Sequence, residues 1–129
     1  AISGVTGNTS KGRLLNDELI KNTALDAISR LCQITGEEMN GLVVVDMKGD
    51  TNNIPIITEI NIRHVAFSSS FASAGFNISE FQLLLALDRD NEISPVEKFF
   101  PPYNLILRDV DGAPIYITEE KAFNIGESI

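Results

Sequence analysis

Cysteine and histidine are nearly absent from this chain, tryptophan is wholly absent, and basic residues are scarce. Cys32 has no second cysteine to pair with, which excludes a disulfide framework and a Cys/His zinc pattern, and it fits a reducing, cytoplasmic compartment. No apolar run approaches the roughly 20 residues a membrane-spanning helix needs, and no basic-then-apolar leader opens the chain. Ten Lys and Arg face 18 Asp and Glu, for a net charge of −8. A general nucleic-acid surface needs clustered cations, so no nucleic-acid partner is expected. A phosphate ligand stays open, because a divalent metal can bridge carboxylates to phosphate. The chain starts at Ala1-Ile2-Ser3-Gly4 without methionine, so a piece of a longer protein is expected.

A hydrophobic fraction of 43% over 129 residues is enough for a real core, and one domain is expected. Residues 1–13 hold three glycines and several hydroxyls and read as a loop, with room for a short strand before it, and with Lys11 and Arg13 placed to reach an anion or to lie in a solvated terminus. Asn16 to Thr35 reads as a helix capped by Asn16 and stopped by Gly36. Ile20, Ala24, Ala27, Ile28, Leu31 and Ile34 form its apolar stripe, with Cys32 packing beside it. Leu42 to Lys48 and Ile54 to Arg63 read as an antiparallel hairpin around Gly49-Asp50-Thr51-Asn52-Asn53. A short helix over Ser69 to Ala74 and a second over Ser79 to Leu87, capped by Ser79, follow. Asp88 to Pro102 reads as a linker. Tyr103 to Asp109 and Ala113 to Thr118 form a second hairpin about Val110-Asp111-Gly112, and the polar tail beyond is expected to fray. The fold class is α+β, mainly antiparallel sheet with packed helices.

The second strand carries the chemistry. Strict alternation puts Ile56, Thr58, Ile60 and Ile62 on one face, under the helix stripe, and Ile57, Glu59, Asn61 and Arg63 on the other. Across the hairpin Asp46 falls on the face of Glu59 and Asn61. Two carboxylates brought close repel, and a bound cation removes that cost. Hard oxygen ligands suit magnesium, and a planar guanidinium suits phosphate oxygens. Independent, solvent-facing acids are the plainer alternative. His64, the only histidine, suits a phosphate contact or general base and equally a structural hydrogen bond. Ser68, Ser69 and Ser70 suit capping, or contact with a substrate.

The order Gly41-Leu-Val-Val-Val-Asp46, a turn, Ile57-Thr-Glu59-Ile-Asn61-Ile-Arg63, a small-residue helix and Ala74-Gly75-Phe76-Asn77-Ile78 resembles the C-terminal part of an ATP-grasp domain, of the kind found in the carbamoyl-phosphate synthase large chain. The resemblance centres on residues 4–88, with 89–129 as linker and C-terminal hairpin. It implies that Asp46, Glu59 and Asn61 bind Mg2+ (or Mn2+), with Glu59 bridging two ions. It also implies that Arg63 takes the ATP phosphates in a catalytic role; Lys11, Arg13 and His64, read from the residues alone as anion contacts, are the further candidates for holding the nucleotide. Relatives often carry proline between the Asn and the Arg, where this chain has Ile62. Asp46 stands where carbamoyl-phosphate synthases have an amide and other relatives an acid. The implied function is the metal- and phosphate-binding portion of an ATP-dependent carboxylate–amine ligase acting through an acyl phosphate. The lid lysines and adenine-binding hinge of the family are not found here, so the isolated chain is expected to be inactive. Its partners are then a nucleotide, a small-molecule carboxylate, the missing N-terminal half, and a second copy wherever surface is left uncovered. A non-catalytic binding module of the same ancestry is the alternative.

Overall fold

The computed structural model describes residues 11–93, 99–107 and 115–124. The fold class is α+β, with two separate antiparallel sheets. The described residues gather into two compact units, one of 17–65 and the other of 11–16 with those from Ala66 onward.

The 17–65 unit is one helix and one hairpin. Helix α1 spans Glu18–Thr35. Asp17, and not the expected Asn16, caps it: its Oδ1 accepts the Leu19 N–H at 2.9 Å and the Ile20 N–H at 3.1 Å. Either residue type can cap, but Asn16 is engaged elsewhere. Glu18 pairs with Lys21 one turn on at 2.6 Å. Gly36 ends the helix at φ 74°, a left-handed conformation that costs glycine nothing, and donates its N–H to the Cys32 carbonyl at 2.8 Å. Ala24, Ala27, Ile28, Leu31 and Cys32 are half-buried as the stripe requires, whereas Ile20 and Ile34 are exposed. Replacing Asp17 with alanine should cost about 1 kcal/mol; faster amide exchange at Leu19 and Ile20, with Asn16→Ala leaving those two amides unchanged, is the check.

Strands β2, Val44–Gly49, and β3, Pro55–Asn61, form the hairpin. Its turn is built on Asp50, whose Oδ1 accepts the N–H groups of Asn52 and Ile54, both at 2.8 Å. The ladder is not regular. Met47 pairs with Ile57 but Asp46 pairs with Glu59, leaving Thr58 as an extra residue in β3. Such a bulge reverses the face of everything beyond it. Val45, Met47, Ile57 and Ile60 therefore share one half-buried face, and α1 packs against β3. The expected core face of Ile56, Thr58, Ile60 and Ile62 is corrected accordingly. Ile60 keeps its place and Ile57 replaces Ile56, which is 52% exposed and lies opposite Lys48. Thr58 is exposed, and its hydroxyl donates to the Asp46 carbonyl at 3.1 Å. Ile62 lies past the end of β3 and is 74% exposed.

The other unit carries a three-stranded sheet in the order β1-β4-β5, with β1 at Lys11–Arg13, β4 at Asn104–Leu107 and β5 at Ile115–Thr118. Asn104 lies opposite Thr118 and Leu107 opposite Ile115, so the second hairpin is present over its described residues; Arg108, Asp109, the turn Val110-Asp111-Gly112 and Ala113 lie outside them. Central β4 is flanked on both sides, and Asn104, Leu105 and Ile106 are buried. Helix α2, Ser68–Ser73, packs on α3, Ile78–Ala86, and on β5. Asn77 caps α3, its Oδ1 accepting the Glu80 N–H at 3.3 Å, where Ser79 was expected. The tail after β5 is helical over its described part: α4 forms over Glu119–Asn124 and packs on β4 and β5, and residues 125–129 lie outside the described residues.

Asn16 binds across 84 positions of sequence. Its Nδ2 donates to the Phe100 carbonyl at 2.7 Å and its Oδ1 accepts the Phe100 N–H at 2.9 Å, as a neighbouring strand would. This pairing holds the Phe100 ring 5.9 Å from that of Phe71. Asn16→Asp keeps the acceptor and loses the donor, leaving one bond of two. A stability loss of about 1 kcal/mol in chemical denaturation is expected, with Asn16→Ala costing more.

Candidate functional site

The hairpin brings three of the expected residues together. Asp46 and Glu59 are ladder partners, so their side chains project from the same face. Asn61 lies opposite Val44, one step along that face, and its Nδ2 donates to Asp46 Oδ2 at 3.0 Å. Asn61 is only 8% exposed, while both carboxylates are exposed. The bond uses the amide nitrogen of Asn61 and leaves its oxygen as an acceptor. The face thus offers two carboxylates and one carboxamide oxygen, all hard donors of the kind magnesium takes. Among the described residues no three His, Cys, Asp or Glu side chains gather to hold a metal ion. The donor set here is two acids plus an amide.

Arg63 was expected to continue the Glu59, Asn61 row. Instead β3 ends at Asn61, because β2 begins at Val44 opposite it and supplies no further rung. The exposed Arg63 guanidinium donates through Nη1 to the His64 carbonyl at 3.1 Å. His64 is exposed. Lys11 and Arg13 belong to the other unit, where Lys11 lies opposite Leu107 in the β1–β4 ladder and Arg13 pairs with Glu119 at 2.5 Å. Ser68 and Ser70 are buried in α2, and the Ser70 hydroxyl has no hydrogen-bond partner among the described residues. Ser69 is exposed, and its carbonyl accepts from Ser73 Oγ at 3.1 Å.

Thr58 was not foreseen as part of this site. Its hydroxyl bond to the Asp46 carbonyl ties the bulge to the strand that carries the first carboxylate. The signal in the sequence is the spacing of Ile57 and Ile60, three apart, which a regular strand cannot bury on one face. Comparison with protein-family models, curated proteins and solved structures finds no match for the chain. Among the described residues no helix is long and apolar enough to cross a membrane.

Proposed function

We propose that the chain is the C-terminal, magnesium- and ATP-phosphate-binding portion of an ATP-dependent carboxylate–amine ligase of the ATP-grasp kind, similar to the carbamoyl-phosphate synthase large chain. The observation that supports this reading most is the meeting of Asp46, Glu59 and Asn61 on one face of the hairpin, with Asn61 bonded to Asp46. In this reading Glu59 and Asp46 supply charged oxygens, and the Asn61 amide adds a neutral one that limits net negative charge. Mg2+ (or Mn2+) would neutralise the charge of the ATP phosphates. Asn61 fixes the Asp46 carboxylate through its Nδ2, so that these two donors are oriented before any cation arrives. Exposed Arg63 would have to exchange the His64 carbonyl for a phosphate oxygen, a swap of one acceptor for a charged and stronger one. The ligase would activate a carboxylate as its acyl phosphate, and an amine would displace phosphate, with no covalent bond to the protein.

The reading also places this chain beside a missing N-terminal half. Leu19, Leu25, Ile34, Ile56 and Ile62 of the helix–hairpin unit are all more than half exposed, which suits a piece whose apolar surface is normally covered. Calorimetry of ATP with and without Mg2+ tests the site. Weak binding is expected for the chain as it stands, lost without the metal and lost in Glu59→Ala. ATP binding of equal strength in Glu59→Ala, or independent of metal, overturns the assignment.

A further inference from the structure

We draw no further inference here: the strongest candidate, the surface patch in which Phe99, Pro101, Pro102 and Tyr103 stand exposed on a turn held by Asn16, Asn104 and Glu119, carries nothing because nothing in the structure shows what covers it.

Discussion

Ile106→Ala is expected to cost the three-stranded unit about 3 kcal/mol of stability, within the range for truncating a fully buried aliphatic side chain. Ile106 is 1% exposed and sits in the middle strand, so neighbours on both sides hold it in place. Its ladder partners are Gly12 in β1 and Tyr116 in β5. Gly12 brings no side chain to fill the space, and the Phe67 ring already occupies its open side: a Cβ on Gly12 would stand 3.0 Å from Phe67 Cε1. The cost within that range depends on how far the Phe67 and Tyr116 rings can move into the hole left by truncation. Against a typical total of about 5–15 kcal/mol for a whole domain, the loss would leave much of this unit close to unfolding. Amide exchange at Leu105 and Leu107 reads it directly, since those protections report opening of this sheet rather than of the other unit. Ile115→Ala, at a 55% exposed position of the same sheet, is the control and should cost about 0.5 kcal/mol or less. An Ile106→Ala loss no greater than that of the control would remove β4 from the core.

The first hairpin was legible because its signals are local. A valine run, the Asp50 turn and a return strand lie within some twenty residues, and the parity of Asp46 against Glu59 and Asn61 follows from them. Helix α1 and its Gly36 stop were legible for the same reason. What could not be read depends on distant partners. Both Asn16 and Asp17 are good caps in isolation, and the choice is made by Phe100, 84 positions away, which takes the Asn16 amide. The pairing of β1 with β4 joins residues more than ninety positions apart, and three residues of edge strand leave no periodic trace. The α3 cap turned on two adequate residues, Asn77 and Ser79, lying two positions apart. Arg63 was misplaced because a strand reading extends as long as alternation continues, whereas a ladder stops where its partner stops. Alternation runs through Ile62 and Arg63, but β2 starts opposite Asn61.

The bulge supplies the second large effect, because it reverses which isoleucine is exposed. Regular alternation places Ile56 inside and Ile57 outside; the ladder places Ile57 opposite Met47 on the half-buried face and Ile56 opposite Lys48. Ile57→Asp would set a carboxylate among Val45, Met47 and Ile60 on the half-buried face. A loss of about 2–4 kcal/mol is expected, combining lost apolar burial with the cost of desolvating an unpaired charge. The helix–hairpin unit has little reserve to absorb this: none of the α1 side chains is fully buried, and an isolated hairpin is itself marginal. Ile56→Asp meets the opposite circumstances. The position is 52% exposed and faces Lys48 across the ladder, so the new carboxylate gains a cross-strand partner of opposite charge and should change stability by about 0.5 kcal/mol or less. Urea denaturation followed by far-ultraviolet circular dichroism, with amide exchange in α1 to isolate this unit, separates the two variants. Ile56→Asp proving the more damaging would mean an unbulged ladder. Glu59 and Asn61 share a side in either register, being two apart. What the bulge decides is that Ile57 leaves their face to join Met47 and Ile60, while Ile56 takes its place beside the donors, opposite Lys48.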